Sequence, residues 1–218
     1  MERTPNGWLS KTNYAPVVDM NFPLQVEKAV QAVGVLFRQD GVKCMNYMRL
    51  LKLLYIADRE ALKETGRPIT GGPMMAMDRG PVLAEVYDLI CGQHENLPAW
   101  DRFLKKDRYT VELVKNPDVR KLSRFEIKKL QEIADRHRND DEWSLSQFTR
   151  GFEEWKKNDP GKSCKSILLK DILKAVGLVD SFDAIAEDIR HLTQMQRDLG
   201  KKPAPRIPSG KSPKTIGV

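Results

Sequence analysis

LLYIADREALKETGRPITGGPMMAMDRGPVLAEVYDLICG, Leu53 to Gly92, decides how this chain reads. A strongly apolar helical stretch runs into Gly66, where a helix stop is expected. Glycines at 71, 72 and 80 alternate with Pro68, Pro73 and Pro81, some permitting unusual backbone shapes and others restricting them. Residues 68–81 are therefore expected to form an ordered, exposed turn. Within it, Met74 to Met77 is expected to be a short strand. Gly80-Pro81 is expected to open a second amphipathic helix, with Val82, Val86, Leu89 and Ile90 on its inner face.

Working towards the N-terminus, Met45, Met48, Leu51, Leu54 and Tyr55 share one face, widened by Leu50, Leu53 and Ala57. So wide an apolar stripe marks the central core helix. Before it, Pro23 is expected in the first turn of a helix that carries Val26, Val30, Val33, Leu36 and Phe37 and stops at Gly41. Residues 1–22 form a polar lead-in that Trp8 and Tyr14 would dock onto the body.

Towards the C-terminus, YTVELV, residues 109–114, alternates as a strand does and is expected to pair with residues 74–77. Ser123 followed by Glu126 is a capping box opening a helix to about Arg136. Ser144 or Ser146 is expected to open the next helix, with Phe148, Phe152 and Trp155 inward, ending at Asn158 to Gly161. Ile167, Leu168, Ile172, Leu173 and Val176 predict a helix stopped by Gly177, and Phe182 through Leu199 a last, long one. From Gly200 onward the chain is basic, rich in Pro and Gly, and without aromatics, the composition of a disordered tail. The organisation expected is thus a lead-in over 1–22, a helical domain over 23–199 and a tail over 200–218. The fold class is mainly α with a small antiparallel β element.

The chain has 218 residues and a formal net charge of +7. The tail supplies Lys201, Lys202, Arg206, Lys211 and Lys214 with no acid, leaving 32 basic against 30 acidic residues elsewhere. The body is nearly balanced, so the charge alone does not argue for nucleic acid. The tail itself has three readings: a solubilising appendage first, then a nucleic-acid arm or a segment that folds on a partner. No apolar run reaches the ~20 residues of a membrane span, and the start of the chain lacks the pattern of a secretion signal. Cys44, Cys91 and Cys164 are odd in number and far apart, which fits reduced thiols in a cytoplasm.

Chemistry-bearing patterns are missing. His94, His137 and His191 have no other His or Cys at metal-ligand spacing, and Asp140-Asp141-Glu142 reads as a solvated acidic loop. Gly71-Gly72 lacks the strand, spacing and Lys of a phosphate cradle. No catalytic residue, metal or cofactor is expected, and the chain is expected not to be an enzyme.

The order helix, Arg-Pro-Ile-Thr-Gly loop, Ala-Met-x-x-Gly-Pro-Val turn, helix resembles the Panacea domain of a broad group of bacterial and phage antitoxins. The resemblance is carried by Leu53, Tyr55, Ala57, Asp58, Arg59, Gly66, Pro68, Ile69, Thr70, Ala76, Gly80, Pro81, Val82 and Tyr87. Weaker echoes continue to about Leu178. Pro73 and Met74 stand where an aromatic is often found, and Asp78-Arg79 where His or Tyr commonly precedes the glycine. The resemblance implies an antitoxin that binds a co-encoded protein toxin directly, and some members are thought to deliver the toxin to a protease. The rival is a DNA-binding regulator of its own operon. Its nearest helix-turn-helix candidate lies over residues 128–157, with a long, acidic joining segment.

A toxin would be met on or beside the loop, by Asp58, Arg59, Arg67, Thr70, Met74, Met75, Asp78 and Arg79. Tyr55, Gly66, Pro68, Gly80, Pro81 and Tyr87 hold the motif's shape. Two alternatives stay open. Asp58 and Arg59 either touch the partner or tie the loop to the helix, and the methionines either recognise the partner or fill the core.

Overall fold

In a computed structural model of the chain, which describes residues 20–200, the central helix begins at a capping residue just outside the apolar run. The Asn46 side chain accepts a hydrogen bond from the Met48 N–H at 2.9 Å, and the helix runs Tyr47–Thr65 to a left-handed Gly66. Met45 therefore lies in a short strand ahead of the helix.

In chain order the elements are α1 (Val26–Asp40), β1 (Cys44–Asn46), α2 (Tyr47–Thr65), β2 (Met74–Met77), β3 (Gly80–Leu83), α3 (Ala84–Cys91) and α4 (Leu97–Asp101). There follow β4 (Leu104–Asp107), β5 (Thr110–Leu113), α5 (Arg124–Arg136), α6 (Glu142–Arg150), α7 (Glu153–Lys157), β6 (Cys164–Ile167), α8 (Leu169–Val176) and α9 (Phe182–Gly200). The fold is mainly α. Helix α2, buried along most of its length, packs against α5, α6 and β3, and α1 lies along α5.

Among the described residues two antiparallel three-stranded sheets replace the single small one expected, with orders β1-β5-β4 and β3-β2-β6. The expected pairing of residues 74–77 with 109–114 does not occur. Thr110–Leu113 pairs with β1 on one side and β4 on the other, while β2 lies between β3 and β6.

Gly80-Pro81 does not open a helix either. Met77 and Gly80 pair across a two-residue Asp78-Arg79 turn. In an antiparallel ladder the next pair, Ala76 with Pro81, is one that exchanges no backbone hydrogen bonds. Pro81 thus loses nothing by lacking an N–H on this edge strand, and α3 starts only at Ala84.

The capping box forms as expected, Ser123 Oγ accepting from the Glu126 N–H and Glu126 Oε2 from the Ser123 N–H. Gly41 and Gly177 end α1 and α8 in the left-handed conformation, and α9 spans the last apolar series. Other expectations shift. Pro23 stands ahead of Gln25, the N-cap of α1. Asp141, not Ser144 or Ser146, caps α6, accepting from the Ser144 N–H at 2.7 Å. Phe148 is exposed, while Trp155 is buried. Ile167 belongs to β6, and α8 begins after Leu168. The Trp8 and Tyr14 docking and the basic tail over 201–218 lie outside the described residues.

Candidate functional site: a groove under the β2–β3 hairpin

Asp58 settles one open alternative. It is fully buried, and its carboxylate accepts from the N–H groups of Ile69 (3.2 Å), Thr70 (3.0 Å) and Gly71 (3.1 Å) and from the Thr70 hydroxyl (2.8 Å). These four donors close the chain back onto α2 three residues after the helix stop. Burial pushes the carboxyl up to about 6, against the downward pull of its donors.

The segment expected to stand exposed is itself covered. Gly72 N–H donates to the Phe22 carbonyl, and Gln25 N–H to the Thr70 carbonyl. A Cβ on Gly71, at φ +78, would sit 2.6 Å from the Pro23 carbonyl oxygen. Thr70, Met74 and Met75 are buried with it, so the two methionines fill the core. None of Asp58, Thr70, Met74 and Met75 presents a surface to a partner.

Arg59 also turns inward. Its guanidinium grips Glu154 (2.6 and 3.3 Å) and lies 4.2 Å over the Phe152 ring, while the Tyr55 hydroxyl donates to the same Glu154 at 3.0 Å. Burial, and after it the Glu154 charge, raise the Tyr55 hydroxyl's pKa well above the usual range. Arg67 is exposed but pairs with Asp188 on α9 at 2.5 Å, away from the hairpin.

What remains outward is the turn itself. Asp78 and Arg79 are exposed, and the Arg79 guanidinium stacks 4.6 Å over the ring of Trp143, which is 52% exposed. The turn is held firmly from beneath, since the Trp155 indole N–H donates to the Met77 carbonyl at 3.0 Å. Gly80, at φ +93, permits the close approach of α6. A Cβ there would lie 2.7 Å from Thr149 Oγ1 and 3.1 Å from Lys52 Nζ.

Beside the turn runs a groove of about 540 Å³. Tyr47, Met48 and Leu51 of α2, Met77 and Val82 of the hairpin, and Tyr87 of α3 make its apolar walls. Arg79 and Lys162 stand at its rim. Its floor is Lys52, which is 1% exposed. The ammonium donates to the Pro81 carbonyl at 2.7 Å, and no carboxylate comes within ion-pairing distance of it among the described residues. Burial pulls it down to about 7.

Of the predicted contact residues, then, only Asp78 and Arg79 belong to this surface, with Gly80 and Tyr87 of the motif residues. Sequence reasoning missed Lys52, Tyr47 and Trp143. Lys52 was findable, being a lysine in the middle of the apolar stripe MRLLKLLYIA, where a charge needs a reason. Trp143 owes its place to α6 crossing β3, which no local pattern announces. Among the described residues no group of three His, Cys, Asp or Glu side chains is placed to hold a metal ion, and no helix is long and apolar enough to cross a membrane.

Residues 50–156 match the family model described as "Antitoxin SocA-like, Panacea domain". Arg79, Trp143 and most of the groove fall within that match. Neither the curated proteins nor the solved structures give a match.

Proposed function

We propose, from the premise that this chain belongs to the SocA-like Panacea-domain antitoxin family, that it is an antitoxin neutralising a co-encoded protein toxin. It does so by direct, stoichiometric binding in the cytoplasm, by contact and not by catalysis. The observation that carries this reading is the Arg79–Trp143 stack at the mouth of the hairpin groove. Arginine, tryptophan and tyrosine around an apolar depression are the residues that dominate protein–protein binding energy. The turn is already held in place by Trp155 and Gly80, so little ordering cost falls on association. The same complex would be the form presented to a protease, if the toxin is degraded as well as blocked. The half-life of the toxin with and without this protein separates the two.

Co-expression with the product of the adjacent open reading frame, scored by growth and by pull-down, tests the reading. The wild-type protein is expected to restore growth and to co-purify at a fixed ratio. Arg79→Glu reverses charge on an exposed turn, so it is expected to keep its melting temperature within about 2 °C and to lose protection. A toxic neighbour that neither co-purifies nor is rescued refutes direct neutralisation. Full protection by a folded Arg79→Glu protein moves the toxin surface elsewhere.

A further inference from the structure

The toxin-binding reading, on which this inference rests, leaves the partner's chemistry open, and the groove restricts it. Lys52, Arg79 and Lys162 face one carboxylate, Asp78, among its lining residues. Lys106 adds a further cation nearby, 5.1 Å from the Tyr47 ring. The Lys52 ammonium has three N–H donors and, among the described residues, one hydrogen-bond acceptor, the Pro81 carbonyl. A buried cation without a counter-charge is costly, and an anion arriving at it in a dry setting is held correspondingly well. The walls are aliphatic, aromatic and thioether, suited to an apolar side chain and adaptable at Met48 and Met77.

We propose that the toxin seats an acidic side chain, carried on an apolar segment, in this groove, with its carboxylate between the Arg79 guanidinium at the rim and the Lys52 ammonium at the floor. The apolar neighbour fills the space between Met77 and Tyr87, and the carboxylate supplies the charge that Lys52 lacks.

A bound carboxylate holds the proton on Lys52. Above about pH 7 the free protein's Lys52 is mostly neutral, so binding must take up a proton, and affinity falls as pH rises by up to about tenfold per pH unit. The other groups facing the groove are Tyr47 from α2, Asp78 and Arg79 from the turn, Tyr87 from α3, and Lys162 and Cys164 at the approach to β6. The Ser146 carbonyl and Thr149 hydroxyl of α6 stand against Gly80. Burial pushes Tyr47 and Tyr87 upward, away from this window.

The test uses the full-length chain and the toxin encoded beside it, with affinity measured by calorimetry from pH 6 to pH 9. Lys52→Met keeps the stem and removes the charge. It is expected to weaken binding at least tenfold at pH 6.5 and to flatten the pH profile, which a merely structural lysine would leave in place. Exposed Asp and Glu residues of the toxin are changed singly to Lys. One such variant is expected to escape wild-type protein and to be recaptured by Arg79→Glu, a rescue that does not depend on whether Lys52→Met folds. A folded Lys52→Met protein with wild-type affinity and pH profile overturns the proposal, as does a complete toxin scan without an escaping, rescued variant. If wild-type protein does not bind the toxin at all, the toxin-binding reading is what has failed, and the proposal falls with it.

Discussion

Removing the Asp58 carboxylate probes how the hairpin is aimed. Asp58→Ala leaves three buried backbone N–H groups, those of Ile69, Thr70 and Gly71, and the Thr70 hydroxyl without their acceptor. Each stranded donor costs about 1–3 kcal/mol. Against this stands a relief. The carboxyl moves from its ordinary 3.8 to about 6 on folding, which at 1.36 kcal/mol per pH unit amounts to about 3 kcal/mol of charge burial at neutral pH. The Thr70 hydroxyl can turn to the Gly71 carbonyl, 3.5 Å away, so the net loss for Asp58→Ala is about 3 kcal/mol, taking the middle of the range for the three N–H groups. In a chain of 218 residues that lowers the melting temperature by roughly 6–12 °C.

The pH dependence has a definite sign. A carboxyl whose folded pKa is above its unfolded one holds more protons in the folded state between about pH 4 and pH 6. Stability from Asp58 is therefore greatest below that window, falls as pH rises through it, and is level above it. Asp58→Asn keeps one carbonyl acceptor and buries no charge, so it is expected to cost about 1 kcal/mol and to abolish this slope. Scanning calorimetry of the three proteins from pH 4 to pH 8 reads both effects. A loss under about 2 °C for Asp58→Ala, or a slope that persists in Asp58→Asn, would refute the assignment of Asp58 as the loop's acceptor. Because the loop leads directly into β2, Asp58→Ala is also expected to protect poorly.

Two further outcomes follow from packing. Gly80→Ala forces a Cβ to within 2.7 Å of Thr149 Oγ1 at φ +93. It is expected to cost about 2 kcal/mol or more, to displace the Arg79–Trp143 stack and to quench protection, read by tryptophan fluorescence and growth. Unchanged fluorescence would show that the turn is not set by Gly80. Glu154→Ala strands the buried Tyr55 hydroxyl and unpairs Arg59, an expected loss of about 3–5 kcal/mol. A melting temperature within 3 °C of wild type would show that water replaces Glu154.

The helices were legible because their signals are local. The Ser123–Glu126 box, the stops at Gly41, Gly66 and Gly177 and the apolar series of α9 each sit within one or two turns of what they decide. The sheets were not. CKSI, residues 164–167, has little strand character, and it becomes one only because β2 offers it an edge from almost ninety residues away. Gly80-Pro81 satisfies two rules at once, the first turn of a helix and a non-bonded position on an edge strand, and the pairing with β2 chooses the second. The same limit applies to the site. The loop chemistry around Asp58 could be anticipated from one carboxylate at the edge of an apolar stripe. The cover given by Phe22 and Pro23, which takes that loop off the surface, comes from the junction that pattern alone read as the end of a loose lead-in and the first turn of a helix.

β2 has a consequence for where this domain can be cut. The family match ends at residue 156, yet the strand that flanks β2 on its far side, Cys164–Ile167, comes after it, and α1, packed along α5, comes before it. The region matched as a sequence family is therefore smaller than the unit that closes its own hydrogen bonds. A fragment trimmed to 50–156 would keep the hairpin and Arg79 but lose Lys162 from the groove's rim, and it would open one whole side of Met74–Met77, an apolar stretch with a bared row of amide and carbonyl groups. Such an edge is a template for another chain. A fragment of this kind would be prone to pair with itself before it ever met a toxin.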